Sequence, residues 1–301
     1  MEKIIDPVGR HLIKKELNSD HFLRKTNFGR NLLYIVTAQD SPNVMQEIGR
    51  LREIAFRDGG AGTGKSVDID EFDTMENPYK QLVVWDPEDE EILGGYRFIE
   101  GYNVKICDKG QPMLSSAEIF KFTDKFLRDY LPKTIELGRS FVQPAYQSSK
   151  KVKYSLDNLW DGLGALITKN PDIRYFFGKV TMYQHFNKRA RDIILYFVQK
   201  YFPDREGIVF PFEQLKLETP VEELEKMYNG FSLKDAYKLM SKAVRNLNEH
   251  IPPLFNSYIK LSETMRTFGT AVNHHFGNVE ETGILLTIDD IYDSKKKRHL
   301  L

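Results

Sequence analysis

Short apolar segments with the patterning of β-strands alternate with longer segments of helical periodicity along most of this chain. The strand-like segments are NLLYIVTA, KQLVVWD, EILGGYRFI, TIELGRSFVQP and IRYFFGKVTMY. The clearest helical segments between them are SPNVMQEIGRLREIAFRD, LDNLWDGLGALIT and HFNKRARDIILYFVQKYF. Ser41 and Pro42 predict the start of the first helix, and Gly59-Gly60 its end. The alternation predicts a mixed α/β (α+β) architecture with a central sheet flanked by helices.

Five further segments carry weaker patterns. SSAEIFKFTDKFLRDYL is predicted to form a helix, and two more helices are expected near residues 220–229 and 232–249. IPPLFNSYIKL and TGILLTIDDI are predicted to form strands that extend the same sheet.

Charge and composition exclude several classes of function. Lys plus Arg and Asp plus Glu each number 43, so no net field favours nucleic acid. Cys107 is the single cysteine, which excludes an internal disulfide and a multi-cysteine zinc site. No run approaches the roughly 18 apolar residues of a membrane span, and the first residues lack the apolar core of a signal peptide. We therefore expect a cytoplasmic protein, and the histidine spacing predicts no metal site.

Residues 59–66, GGAGTGKS, satisfy the Walker A pattern, with Lys65 in the position of the phosphate-binding lysine. A working phosphate loop follows a buried strand and opens a helix, whereas a helix precedes this segment and an acidic stretch follows it. Those acids would repel phosphate. We therefore interpret the segment as a flexible glycine loop, and keep a nucleotide-binding protein that uses Lys65 as an alternative from another class.

Charged residues inside or beside the predicted strands suggest a catalytic site. Glu136 and Arg139 flank Gly138 within ELGRS, and a regular strand would direct these two side chains to opposite faces. Because glycine within a strand often marks a bulge, we predict a bulge or splay at Gly138 whose N–H groups could polarise a carbonyl. A packing role for Gly138, and a purely structural ion pair between Glu136 and Arg139, remain open alternatives.

ELGRSFVQPAYQ followed by LWDGL resembles the bacterial ornithine-lipid and glycine-lipid N-acyltransferases, hemolysin-like proteins related to acyl-homoserine-lactone synthases. The resemblance runs from about residue 51 to 288, and LDNLWDGLGALI and FFGKVTMY look most like the glycine-lipid enzymes. It implies a GNAT-like fold, with an acyltransferase core at residues 1–203 and a carboxy-terminal extension at 204–301 packed on or extending the same sheet.

The resemblance also implies site residues. Arg52 and Phe56 would line the donor and acceptor cleft. Asp70 and Asp73 would order their loop and attract the acceptor ammonium, and Arg97 would pair with an acid to brace the cleft.

Two further residues would carry the chemistry. Glu136 would be the general base or would orient it, because an amine that is mostly protonated at neutral pH must lose a proton before it attacks. Arg139 would be its neighbour in a charge network. His274 and His275 lie where the family places part of its acceptor-recognition region.

The interval QSSKKVKYSLDN indicates the acyl donor. It has no glycines, unlike the pyrophosphate loop of GNAT enzymes that use coenzyme A, and Lys150, Lys151 and Lys153 form a basic patch. Such a patch suits an acidic acyl carrier protein. We therefore expect acyl-ACP, a phosphopantetheine thioester, as co-substrate in preference to acyl-CoA, with no bound cofactor.

The resulting hypothesis is transfer of a (3-hydroxy)fatty acyl chain to glycine or a similar small amino acid, the first step of aminolipid synthesis. Ornithine is the alternative acceptor, and a membrane-active protein without enzymatic activity is a further class. The product would pass to a downstream O-acyltransferase. The basic end of NKRARDIILYFVQKYF and the tail at residues 295–298 could contact the inner face of the membrane, although that helix also fits a core position.

Overall fold

A computed structural model describes residues 1–147 and 152–299 and contains a large twisted sheet with helices on both faces. The described residues form ten strands: β1 (Phe22–Lys25), β2 (Leu32–Val36), β3 (Lys80–Asp86), β4 (Glu91–Glu100), β5 (Phe120–Phe122), β6 (Thr134–Val142), β7 (Tyr175–Met182), β8 (Val209–Pro211), β9 (Arg266–Asn273) and β10 (Val279–Thr287).

Eight of these strands form one sheet in the order β1-β2-β3-β4-β6-β7-β10-β9, while β5 and β8 pair separately. Every neighbouring pair in the large sheet is antiparallel except β6 and β7, which are parallel. The carboxy-terminal strands β9 and β10 therefore belong to the same sheet as the rest of the chain.

The helices flank this sheet. Within the described residues they are α1 (Arg10–Glu16), α2 (Pro42–Asp58), α3 (Glu71–Thr74), α4 (Pro144–Gln147), α5 (Val152–Lys169), α6 (Lys188–Tyr201), α7 (Val221–Tyr228), α8 (Leu233–Asn246), α9 (Pro253–Ile259) and α10 (Asp293–His299). None of them is long and apolar enough to cross a membrane.

Strand β3 shows why the central strands read as continuous apolar runs. Leu82 and Val84 face a core shared with α5, α6, α8 and α9, whereas Val83 and Trp85 face a second core beneath α1 and α2. Both faces of the strand are buried, so alternation with polar residues is lost.

Helix α6 belongs to the larger of these cores. Eight of its residues are buried, and Arg191 pairs with Asp192 and Glu280 inside the protein. The prediction that this helix could occupy a core position is confirmed.

Two of the predicted elements were wrong. Residues 115–131 form a 3-10 turn, strand β5 and a π-helical turn (Phe126–Tyr130) rather than one helix. Phe120 and Phe122 are buried with Lys121 exposed between them, and β8 supplies the backbone partner that favours the strand. The segment near 251–261 forms helix α9 rather than a strand, because Pro253 occupies the first turn and Phe255 and Ile259 share its buried face.

The predicted cap of α2 is correct in position but not in mechanism. Ser41 is the N-cap residue, yet its side chain makes no capping hydrogen bond. The carboxylate of Glu16 instead accepts from the backbone N–H groups of Asn43 at 3.2 Å and Val44 at 2.8 Å. A distant carboxylate thus satisfies the helix amino terminus.

Candidate active site

Strands β6 and β7 separate halfway along their length. They pair from Thr134–Tyr175 to Leu137–Gly178, and the parallel ladder ends there. On its other edge β6 has a bulge, where Arg139 and Ser140 lie opposite the single residue Tyr96 of β4. The predicted bulge or splay at Gly138 is therefore confirmed.

The local geometry assigns the strain to Arg139, which has φ = 50°, in the left-handed region. A Cβ at Gly138 would lie 3.7 Å from Arg97 Nε and 3.8 Å from Ser115 Oγ, which are ordinary contact distances. Close packing therefore does not require glycine at position 138.

A cavity of about 420 Å³ opens where β6 and β7 diverge. Its polar end is lined by Arg97, Ser115, Arg139, Lys179 and Glu281, and Phe56 from α2 lies in its wall. Its apolar wall comes from α5, α9 and the residues after β7, namely Leu159, Trp160, Leu163, Phe186, Leu254 and Tyr258.

Helix α5 has both a packing and a cavity-lining role. Gly162 packs closely against the sheet, because a Cβ there would lie 2.6 Å from Leu82. Trp160 and Leu163, whose spacing is more typical of core residues, line the cavity, and Trp160 meets Tyr258 of α9 edge to face with ring centroids 5.9 Å apart.

Glu136 lies behind the cavity wall, with 2% of its surface exposed. Its carboxylate accepts hydrogen bonds from the Tyr79 hydroxyl, from Ser116 N–H at 3.1 Å and from Ser115 Oγ at 3.4 Å. Burial raises the pKa of the Glu136 carboxyl, although the hydrogen bonds from Tyr79 and Ser116 oppose that shift. Ser115 lines the cavity, whereas Glu136 does not, so the Ser115 hydroxyl connects the Glu136 carboxylate with the cavity wall.

A buried cluster of acids and arginines braces the same end of the cavity. We call it the Asp-Arg cluster, and its members are Arg52, Asp68, Asp70, Asp73, Arg97 and Arg139.

Asp73 lies at the centre of this cluster, fully buried. It contacts Arg52 at 3.3 Å and Arg97 at 3.2 Å, and Arg97 also contacts Asp70 at 2.6 Å. Burial alone would raise the pKa of Asp73, but the two guanidinium groups outweigh burial and hold that pKa well below its ordinary value. The expected pairing of Arg97 with an acid is confirmed.

The loop that carries these acids is ordered by its own side chains. Asp70 caps α3 and forms a capping box with Asp73. Since Asp73 is already paired with two arginines, its carboxylate is not available to an acceptor ammonium, in contrast to the role expected for it.

Arg52 also differs from its expected place. Its side chain is fully buried, where it bonds to Asp73 and Gln81, and it is not part of the cavity wall. Its helical neighbour Phe56 does line the cavity. Of these two residues of α2, Arg52 therefore binds within the Asp-Arg cluster and Phe56 lines the cavity.

Arg139 pairs with Asp68 at 3.0 Å, and its guanidinium lies 4.0 Å from the ring centroid of Phe276. Glu136, by contrast, is held by Tyr79 and the two serines. The alternative of a structural ion pair between Glu136 and Arg139 is therefore wrong, because each has other partners.

Lys179 and Glu281 were missed by sequence reasoning, although both line the cavity. Lys179 is the single charged residue of FFGKVTMY, and Glu281 stands beside Glu280 at the start of the strand VEETGILLT, a signal that could have drawn attention to them. His274 and His275 are exposed at the turn between β9 and β10, while the neighbouring Asn273 donates to Glu281 at 2.9 Å.

The glycine loop at residues 59–66 follows helix α2 rather than a strand. The buried carboxylate of Glu53 accepts from the N–H groups of Thr63 at 3.0 Å and Gly64 at 2.8 Å, and Arg57 pairs with the same carboxylate at 2.7 Å. A carboxylate of the protein thus occupies amides that a phosphate would need. These bonds connect the loop to helix α2.

The basic patch expected to meet the acyl donor is not among the side chains that the structure describes. Lys150, Lys151 and the Lys153 side chain lie outside the described residues.

Comparisons with known proteins give close relatives. A profile of the acetyltransferase (GNAT) domain matches residues 51–157. The whole chain is 55% identical to a glycine N(alpha)-acyltransferase of Bacteroides thetaiotaomicron over 90% of that protein, and 53% identical to a protein of the same name from Phocaeicola vulgatus over 93% of it. Among solved structures, the N-acyl amino acid synthase FeeM from uncultured soil microbes aligns with 90% of this chain and 96% of its own, at 11% identity and a TM-score of 0.41.

Proposed function

The chain belongs to the family of glycine N(alpha)-acyltransferases and carries a GNAT acyltransferase domain, and from this premise we propose that it transfers a fatty acyl chain from a thioester to the amine of glycine. The observation that carries the proposal is the cavity between β6 and β7. One end is apolar enough for an acyl chain, and the other brings cationic, anionic and hydroxyl groups together, as an amino acid acceptor requires.

The reaction forms one bond and breaks another. The amine nitrogen attacks the thioester carbon, the C–N bond forms, and the C–S bond breaks with loss of the thiolate. A glycine ammonium loses two protons in all. One must leave before attack and passes to the enzyme and then to water, and the other goes to the departing sulfur.

Glu136 is the proposed acceptor of the first proton. Ser115 lies in the cavity wall and its hydroxyl already donates to Glu136 Oε1 at 3.4 Å, so the serine can pass its proton inward while it takes one from the amine. Burial raises the pKa of Glu136, which makes this carboxylate a stronger base than an exposed one.

The backbone of β6 supports stabilisation of the developing oxyanion. Beyond Leu137 the strand no longer pairs with β7, and the next residues, Gly138 and Arg139, line the cavity. Donors held in this way at Gly138 and Arg139 would bind the thioester oxygen as it gains charge.

The proposed donor is an acyl carrier protein, and the acyl chain is a 3-hydroxy or plain fatty acyl group. Support comes from the lysines at 150, 151 and 153 and from the absence of glycine in this stretch of sequence. Replacing the three lysines with alanine should raise KM for acyl-ACP and change KM for acyl-CoA little. Equal effects on both donors would contradict carrier recognition by this patch.

The product, an N-acyl glycine, is a single-chain amphiphile. It would enter the inner leaflet of the membrane and serve there as substrate for a separate O-acyltransferase, in keeping with a first step in aminolipid synthesis. The enzyme itself would act from the cytoplasmic side.

The decisive experiment is mass spectrometry of lipids from a heterologous bacterial host that expresses the wild type or Glu136→Gln. We expect N-acyl glycine with the wild type, and in purified enzyme a loss of about 10²–10⁴-fold in kcat for the variant. Wild-type kcat should rise with pH as Glu136 loses its proton. The midpoint of this rise should lie above the ordinary glutamate pKa, because burial raises the pKa of Glu136.

Glu118→Gln is the matched control, because Glu118 is exposed two residues from Ser116 and its replacement should leave kcat unchanged. An N-acylated ornithine in place of glycine would correct the acceptor. Absence of any acylated amine, with folded enzyme and acyl-ACP present, would contradict the proposed function. An undiminished rate in Glu136→Gln would remove Glu136 from the mechanism.

A further inference from the structure

An ion pair lies in the wall of the cavity, between β7 and β10. Lys179 Nζ contacts Glu281 Oε2 at 2.8 Å, and the two side chains are 10% and 5% exposed. The antiparallel register places Glu281 opposite Thr181, so Lys179 and Glu281 are diagonal neighbours on one face of the sheet. Both side chains line the cavity close to Ser115.

The pair retains unused bonding capacity. An ammonium has three donors, and the described residues give Lys179 the carboxylate of Glu281 and the main-chain oxygen of Ser115 at a distant 3.5 Å. Glu281 Oε2 is also bonded by Asn273, whereas Oε1 accepts only a long bond of 3.4 Å from Thr181 among the described residues. One donor and one carboxylate oxygen are therefore weakly satisfied.

Burial of such a pair requires an explanation, because the cost of removing both charges from water often exceeds their attraction. Arg191 and Glu280 form a comparable buried pair at 2.9 Å, but that pair is not among the residues that line the cavity. Lys179 and Glu281 differ because the cavity gives a ligand access to both charges.

We propose that Lys179 and Glu281 form the acceptor site and recognise the amino acid as a zwitterion, with its carboxylate on Lys179 and its ammonium on Glu281. This inference rests on the proposed function, since it identifies how that site selects its acceptor. A zwitterion inserts between the two side chains and replaces one ion pair with two, so the buried charge stays balanced. An amine without a carboxylate would pair with Glu281 through its ammonium and leave the Lys179 ammonium without an anionic partner.

The position of the pair also fits the proton path. Lys179 contacts the main chain of Ser115, whose hydroxyl donates to Glu136. An ammonium bound at Glu281 would therefore lie beside the serine that leads to the base. Burial alone would raise the pKa of Glu281, but Lys179 outweighs burial and keeps that pKa below its ordinary value, so this carboxylate stays ionised and holds the ammonium.

The test compares glycine with glycinamide, which has the same amine but no carboxylate. Its amine loses a proton more readily, so a preference for glycine cannot arise from reactivity. We expect the wild type to prefer glycine by at least about 100-fold in kcat/KM, because glycinamide would leave the buried ammonium of Lys179 without a partner. Lys179→Met should abolish this preference, and glycinamide should become the better acceptor because its cation neutralises Glu281.

Lys188→Met is the matched control. Lys188 pairs with Glu280 at the same distance of 2.8 Å, and it is not among the cavity-lining residues, so its loss should leave the glycine preference unchanged. Retention of the preference in Lys179→Met would overturn the inference. Should Lys179→Met fail to fold, the double variant Lys179→Met, Glu281→Gln removes both charges, and it should fold and accept glycine and glycinamide equally.

Calorimetric titration of the enzyme with glycine, without an acyl donor, separates the two proposals. If glycine binds to the wild type and not to Lys179→Met, the acceptor site is supported even when no acyl transfer is detected. In that case only the proposed function is contradicted. If Lys179→Met still transfers the acyl chain to glycine and prefers glycine over glycinamide as the wild type does, only the acceptor site is overturned. If the wild type shows no glycine binding and no acyl transfer, both proposals are overturned.

Discussion

Replacement of Asp73 by asparagine tests whether the Asp-Arg cluster stabilises the fold. The cluster balances three arginines against three aspartates, and Asp73 serves both Arg52 and Arg97. In the variant Arg97 keeps Asp70, whereas Arg52 keeps only the amide oxygen of Gln81 among the partners described for it. Loss of one partner from a buried ion pair costs about 3–5 kcal/mol. At about 2 °C per kcal/mol, the melting temperature should fall by about 6–10 °C.

Urea and thermal unfolding, followed by circular dichroism at neutral pH, measure this difference. Asp108→Asn provides the control, because Asp108 is exposed and its change should alter the free energy of unfolding by less than about 0.5 kcal/mol. A destabilisation of Asp73→Asn below about 1 kcal/mol would refute the argument that this carboxylate compensates two buried cations.

The same variant predicts a pH dependence. Because the folded protein depresses the pKa of Asp73, its contribution to stability is fully present above the ordinary aspartate pKa of about 3.9 and is lost as the pH falls towards the folded-state pKa. The difference in free energy of unfolding between wild type and Asp73→Asn should therefore be constant near neutral pH and shrink below about pH 4. A difference that grows on acidification would contradict this sign.

Two further predictions concern the cavity and the glycine loop. Leu163→Phe adds volume to the apolar wall, so kcat/KM for long acyl donors should fall by about tenfold or more while short donors are spared, and a uniform loss across a chain-length series would count against an acyl site there. Glu53→Gln removes the charge that fastens the loop. We expect a loss of about 1–3 kcal/mol and faster amide hydrogen exchange at Thr63 and Gly64, and unchanged exchange would show that Glu53 does not hold the loop.

The sequence predicted those parts of the fold that depend on local pattern. Six strands of the central sheet (β2, β3, β4, β6, β7 and β10) and helices α2, α5 and α6 follow from apolar periodicity and from end signals such as Pro42 and Gly59, whereas β1 and β9 were not predicted. The mixed sheet flanked by helices is the predicted fold class, and the glycine of ELGRS correctly marked the bulge in β6. The errors at residues 115–131 and 251–261 arose where a distant strand or a proline pair outweighed local propensity.

The site was harder to predict because its parts meet only through tertiary structure. Glu136 and Arg97 could be singled out as candidates because each is a charged residue within a predicted strand. Lys179 and Glu281 come together only because β10 pairs with β7, and a single sequence does not reveal the register of that pairing. The contact of Ser115 with both Glu136 and the cavity likewise depends on a turn whose conformation was wrongly predicted.

The placement of β10 beside β7 has a consequence for synthesis on the ribosome. Chains fold from the amino terminus as they emerge, and β7 is complete long before residues 279–287 have been made. Until then its outer edge, with the apolar side chains of FFGKVTMY, has no partner from β10. Such an unpaired edge can join other chains, so the nascent protein passes through an aggregation-prone interval that ends only when its last long strand is added.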